Sequence, residues 1–329
     1  MLRRISKLTF LIQFLIYIGI AALMWVPEFM HPKAAVRIAS EGPLYSFIAS
    51  LLASHTLVSV SLVLAFVIGL SLILYFIGSV NDILPRENFL PAILYLFLMS
   101  WNTGLSAMNP LLPSGILITL SIYTLMRMYG QSEPYRQVFT ASALIGLSSL
   151  FYLPSIYFLI MIWISLVTYR ITTWREWIIA LIGFLIPFIY LISWYFWNDE
   201  FTKGVHQILT SVDDPGISLE GIQSYEIAWM IITAFLLIIT LITVINAIQD
   251  KLISIRRKSF IMVNFVIACC VMILLSGSSI LLVSQLLYMS LSFFMAASLA
   301  MLKRTLILDI MMVTYLVFLA SLRLFILLA

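Results

Sequence analysis

Along the chain, long charge-free apolar runs alternate with short polar breaks. A helix needs about 20 apolar residues to cross the roughly 30 Å hydrocarbon core of a bilayer. Helix is the expected form there, because lipid offers backbone N–H and C=O groups no partner. The pattern predicts about 11 spans: 8–25, 56–77, a short one at 89–101, 112–129, a tight hairpin of 138–152 and 153–169 broken at Pro154, then 177–197, 227–248, 260–275, 280–302 and 305–328. The expected fold is all-α, a polytopic transmembrane helical bundle, with residues 1–329 forming one integral-membrane domain. Two breaks are long, 28–55 and 198–226. Within the first, 44–53 is apolar but too short to span, so it is expected to lie in the interface or to re-enter. The break at 102–113 is expected to line a cavity, since irregular backbone at membrane depth must be shielded from lipid.

Composition agrees with the pattern. Apolar residues make up 63% of the chain and charged residues 10%, against roughly a quarter charged in soluble domains. The mean hydropathy is +1.12. These values exclude a soluble globular protein, a disordered chain and a nucleic-acid-binding domain. The net charge of +4 is then a report on orientation rather than on an acidic partner. With the N-terminus cytoplasmic, all of the 18 Lys and Arg residues fall on the inner side except Lys33, Arg37, Lys203 and the intramembrane Arg323. The C-terminus is then expected on the outer side. Trp25, Trp101, Trp194, Trp197 and Trp229 fall near the outer face, where an interfacial belt is expected. Arg3, Arg4 and Lys7 precede the first run as in a signal peptide, but Met24-Trp25-Val26-Pro27-Glu28 offers no cleavage site, which marks an uncleaved first span. Cys269 and Cys270 are adjacent in an apolar run, a geometry that strains a disulfide and fits two thiols filling space.

Candidate chemistry concentrates outside. Glu28, Glu41, Asp199, Glu200, Asp213, Asp214, Glu220 and Glu226 lie on the outer side with His31, His55 and His206. Inside the membrane, Asp309 is expected to pair with Lys303 and Arg304, and Arg323 to snorkel to the outer surface. Gln13, Asn246, Asn264 and Gln285 read as interhelical hydrogen-bonding groups. No clear carboxylate lies near mid-membrane, which argues against a proton-coupled pump or symporter.

Three segments carry a resemblance: Asn88-Phe89-Leu90-Pro91-Ala92-Ile93-Leu94-Tyr95, the hairpin from Ala141 through Gly146 and Leu147 to Pro154 and Ser155, and Trp174-Arg175-Glu176-Trp177 before a span containing Gly183 and Pro187. Their order resembles an uncharacterised family of multi-pass inner-membrane proteins of Gram-negative bacteria, over roughly residues 41–199. The layout is also similar to the type-C (GT-C) glycosyltransferases, which take sugars from polyprenyl-phosphate carriers. Glu41-Gly42-Pro43-Leu44-Tyr45 resembles the acidic start of their first outer loop, and the Gly146 to Pro154 hairpin resembles their central one. The chain departs from them in lacking a paired-acid signature and a large soluble C-terminal domain.

Sugar transfer from a lipid phosphate needs a base at the acceptor hydroxyl and positive charge at the leaving phosphate. Glu41 and Glu28 are the candidate catalytic acids. His31, Lys33 and Arg37 are candidates for the phosphate, and Tyr45 and Asn102 for further substrate contact. Asp213 and Asp214 are candidates for a divalent cation through oxygen ligands, although Asp213-Asp214-Pro215-Gly216 also reads as a turn. Expected partners are membrane lipids, a polyprenyl-phosphate sugar and other envelope membrane proteins, with no nucleic acid. Two other functions fit the same residues: a non-catalytic subunit or scaffold of an envelope assembly, and a lipid-binding or flipping protein.

Overall fold

The computed structural model describes residues 2, 8–38, 40–101, 103–131, 133–171, 173–199, 201–202, 224–276, 280–302 and 306–328. The described chain is helical, and its one pairing of extended backbone is an isolated antiparallel bridge between Glu41 and Tyr152. In chain order the helices are α1 (Phe10–Met30), α2 (Pro43–Leu52), α3 (Thr56–Val80), α4 (Leu90–Ser100), α5 (Leu111–Met126), α6 (Tyr135–Phe151), α7 (Leu159–Thr168), α8 (Trp174–Trp197), α9 (Ser224–Ile248), α10 (Ile253–Leu275), α11 (Ile280–Met301) and α12 (Leu306–Leu328). Short 3₁₀ turns at Thr103–Ser106 and Leu153–Phe158 precede α5 and α7.

Every predicted span coincides with a helix, but the helices fall into two classes. Among the described residues, six stretches are long and apolar enough to cross a membrane: Phe10–Met30, Thr56–Val80, Trp174–Trp197, Trp229–Ile248, Ile253–Leu275 and Leu282–Met301. This is a multi-pass membrane protein. α2, α4, α5, α6 and α7 are shorter, and the apolar stretch described in α12 is Leu308–Ser321. At 1.5 Å per residue, the 11 residues of α4 reach only about 16 Å, roughly half the hydrocarbon thickness. Nearly every α4 residue is buried, including Leu90, Leu94, Tyr95, Leu96 and Leu98. A helix too short to face lipid on its own is thus enclosed by others. It packs against α1, α3 and α11, and α11 is itself 94% buried over its apolar stretch, against 22% for α1 and α8. α4 and α11 form the core, while α1 and α8 turn apolar faces such as Leu23, Ile189 and Tyr190 outward, the pattern of helices meeting lipid.

In lipid, apolar burial does not drive helices together, and close packing at small residues takes its place. α6 and α8 cross in this way. A Cβ on Gly146 would stand 2.3 Å from the Phe184 carbonyl oxygen, and one on Gly183 would stand 2.1 Å from Ser142 Oγ and 2.8 Å from the Phe139 carbonyl oxygen. Gly146→Ala must push the two backbones apart, and a loss of about 1–3 kcal/mol is expected from overpacking. Thermal unfolding of the detergent-solubilised protein checks this, and an unchanged midpoint would show that the crossing has slack.

Polar groups in the interior tie neighbouring elements. Ser114 Oγ lies 2.8 Å from both Ser148 Oγ and Ser155 Oγ, joining α5, α6 and the second 3₁₀ turn. The Gln13 amide, fully buried in α1, donates to the Glu87 carbonyl at 2.9 Å and accepts from the Phe89 N–H at 2.8 Å. Asn264 also acts between helices, its amide reaching Ser165 and Thr168. The expectation for Gln285 does not hold, since neither of its buried amide atoms has a partner. Asp309 accepts the backbone N–H of Leu2 at 2.9 Å, and its expected partners Lys303 and Arg304 lie outside the described residues. Cys269 and Cys270 are both free thiols.

The tryptophans near the span ends differ in exposure. Trp194 and Trp197 are exposed, but Trp25, Trp101 and Trp229 are buried. Trp101 and Trp229 both donate to the Tyr288 hydroxyl, at 3.2 and 3.0 Å, and Trp229 stacks on Tyr315 at 4.7 Å. A buried indole N–H needs an acceptor, and Tyr288 on α11 supplies one at the bundle centre.

Candidate functional site

The loop between α1 and α2 is anchored by its backbone. The Val36 N–H donates to the Met108 carbonyl at 2.8 Å, the Gly42 N–H to Phe151 at 2.8 Å, and the Leu153 N–H to Ser40 at 3.2 Å. The last two bonds flank the bridge between Glu41 and Tyr152. Tyr152 is extended, at φ −138°, because α6 stops there ahead of Pro154. The Tyr152 N–H still donates to the Ser148 carbonyl, and the Phe151 carbonyl and Leu153 N–H on either side of it find their partners in the loop. Gly42 permits the approach, since a Cβ there would lie 2.1 Å from the Leu150 carbonyl oxygen. The segments Glu41 to Tyr45 and Gly146 to Pro154 thus meet in space.

Glu41 sits at this junction with its side chain 14% exposed, and Arg37 lies beside it with Nη1 3.7 Å from Oε1 and a side chain 57% exposed. The Ile38 N–H donates weakly to Oε2 at 3.4 Å. Burial raises the Glu41 pKa above its ordinary value, and the Ile38 hydrogen bond and the Arg37 charge only partly offset it. Its protonation is thereby shifted towards neutrality relative to an exposed glutamate.

Glu28 is placed differently. α1 runs on through Pro27 to Met30, so Glu28 belongs to a helix and not to the loop. Its Oε1 lies 3.1 Å from Arg323 Nη2, with both side chains about 5% exposed or less. Ser106 Oγ donates to Oε2 at 2.6 Å, and Arg323 also donates to the Met24 carbonyl. Arg323 does not snorkel. A guanidinium held in the bundle is matched by a carboxylate at the same depth, as burial of charge requires. Both oxygens of Glu28 are engaged in clamping α12 and the 103–106 turn to α1. That pairing spans 295 residues of sequence and went unseen in it. The available signal was that Glu28 and Arg323 fall at the same end of their helices.

Tyr45 is fully buried, and its hydroxyl sits 2.7 Å from the Val36 carbonyl and 2.8 Å from that of Met108. It pins the loop to the stretch after the first 3₁₀ turn. That stretch does not line an open cavity at this point, because Leu105, Ala107, Met108 and Asn109 are all buried. Tyr45→Phe is expected to cost about 0.5–1.5 kcal/mol, since one hydroxyl proton serves the two carbonyls and the Met108 carbonyl keeps the Val36 N–H. A fall in melting temperature identifies this pinning role, whereas weaker substrate binding with unchanged melting would identify a contact with substrate.

His31 is exposed and Lys33 partly buried, both on the segment leading from α1 to Arg37. Asn102, Asp213 and Asp214, together with His206, lie outside the described residues. Among the described residues no group of three His, Cys, Asp or Glu side chains could hold a metal ion. The sequence matches no protein-family model, no curated protein and no solved structure.

Proposed function

We propose that this chain is a cell-envelope protein of the bacterial inner membrane that acts on a lipid-borne phosphate, with Glu41 and Arg37 as its working pair, in the manner of a GT-C-like sugar transferase. The observation that carries the proposal is the Glu41 junction: a partly buried carboxyl with a raised pKa, fixed by a backbone bridge, with an exposed guanidinium 3.7 Å away. In such a transfer, Glu41 takes the proton from the acceptor hydroxyl. The acceptor oxygen attacks the anomeric carbon, and the bond from that carbon to the phosphate oxygen breaks. The electron pair leaves on the phosphate, where Arg37, with Lys33 and His31 nearby in sequence, offsets the charge.

The test is sugar release or transfer from a polyprenyl-monophosphate sugar by the purified protein in nanodiscs. Activity that falls in both Glu41→Gln and Arg37→Gln supports the reading, and activity untouched by both overturns it. A second reading, a non-catalytic subunit, is favoured by the engagement of Glu28 and Tyr45 in packing. It predicts co-purifying membrane chains and no effect of either substitution on any transfer.

A further inference from the structure

At the end of the bundle away from Glu41, α5 ends and α6 begins. A hollow of about 190 Å³ opens between them, lined by Thr124, Arg127, Arg136, Gln137 and Thr140. Its walls carry two guanidiniums, two hydroxyls and an amide, and no apolar side chain. Arg127 and Arg136 are exposed, and among the described residues neither has a carboxylate within ion-pairing distance. Arg127 lies over the Tyr123 ring, 5.7 Å from its centroid, which steadies the guanidinium. The Thr124 and Thr140 hydroxyls donate to the Ser121 and Arg136 carbonyls, each at 2.8 Å, and so shape the wall.

A further feature points to an anion. Arg136, Gln137 and Thr140 stand in the opening turns of α6, whose N-cap, Pro134, supplies no side-chain hydrogen bond. The first N–H groups of a helix lack intrahelical partners and mark its positive end, which favours a bound anion.

We infer that this hollow is a binding site for a phosphate group, supplied by an anionic phospholipid headgroup or by free phosphate. Its volume is below the roughly 300–1,000 Å³ of sites for drug-sized ligands, so it takes one small group. Two arginines suit that group, because the planar guanidinium meets phosphate oxygens in pairs. The site is independent of the Glu41 reading. The positive-inside expectation puts it on the cytoplasmic side, where basic hollows between membrane helices meet anionic headgroups.

The test uses the purified full-length protein in detergent, titrated separately with phosphatidylglycerol, phosphatidylcholine and inorganic phosphate. Native mass spectrometry reads the lipid adducts and calorimetry reads the phosphate. R127Q/R136Q is compared with R86Q/R175Q, which removes equal charge from exposed positions at the same end, and with R127K/R136K. The expected result is a loss of about tenfold or more in R127Q/R136Q, partial binding in R127K/R136K, and near wild-type binding in R86Q/R175Q. Preference for phosphatidylglycerol without phosphate binding assigns the lipid source, and one-to-one phosphate binding assigns the free anion. Equal losses in R127Q/R136Q and R86Q/R175Q would reduce the effect to surface charge and overturn the site, as would absence of binding by the wild type. All variants are checked for unchanged melting, and a destabilised R127Q/R136Q is replaced by the two single variants.

Discussion

Replacing Arg323 with leucine is expected to destabilise the solubilised protein by about 3–5 kcal/mol, the usual cost of leaving one half of a buried ion pair behind. The partner left behind is Glu28, whose buried carboxylate then keeps the Ser106 hydroxyl as a donor but has lost its countercharge. Glu28→Leu should cost a similar amount by stranding the guanidinium. Replacing both together should recover most of the loss, because two charges no longer need mutual compensation; the residual cost is the lost hydrogen bonds from Ser106 to Glu28 and from Arg323 to the Met24 carbonyl. Thermal unfolding of the three variants in one detergent checks the pattern. A joint variant as unstable as the sum of the single ones would contradict an ion pair and point to packing alone. The pair matters for the fold because it secures α12, the last helix, to the end of α1.

The second large effect concerns Glu41. If it is the base, Glu41→Gln should lower transfer by about 100-fold or more, the scale of general acid–base catalysis. The same substitution should leave melting nearly unchanged, since the backbone bridge to Tyr152 uses no side-chain atom of Glu41. The pH profile gives a sharper signature. A base works only when ionised, and burial raises the Glu41 pKa above its ordinary value. Wild-type activity should therefore fall on acidification while the pH is still above the range in which an exposed glutamate protonates. That acid limb should be missing from the residual activity of Glu41→Gln. Removing the Arg37 charge should move the limb to still higher pH, because Arg37 helps to hold Glu41 ionised. An acid limb unchanged by both substitutions would belong to another group.

The helices were legible because lipid enforces them: each apolar run has one way to satisfy its backbone. α1, α3, α8, α9, α10 and α11 follow directly from that rule. The short α4 was legible as a helix but not as a core element, since its burial depends on α11, which is distant in the chain. The same holds for Trp101 and Trp229. Their positions near span ends were legible, but not that both would be buried and donate to Tyr288. At the candidate site, Glu41 was legible as an acid beside Arg37. Its contact with Tyr152 was not, because pairing between a loop and a helix break leaves no periodic trace. Arg323 was misread for a related reason: depth alone does not distinguish a side chain reaching for water from one meeting Glu28. Candidate residues Asn102, Asp213 and Asp214 lie outside the described residues.

The most direct measurement is photo-crosslinking of a polyprenyl phosphate, carrying a diazirine next to its phosphate, to the purified protein in nanodiscs, followed by peptide mapping. Action on a lipid-borne phosphate predicts labelling within the segment from His31 to Tyr45, reduced by Arg37→Gln and by excess unlabelled polyprenyl phosphate. Labelling spread evenly over the lipid-facing helices α1 and α8, and indifferent to Arg37→Gln and to competitor, would contradict it.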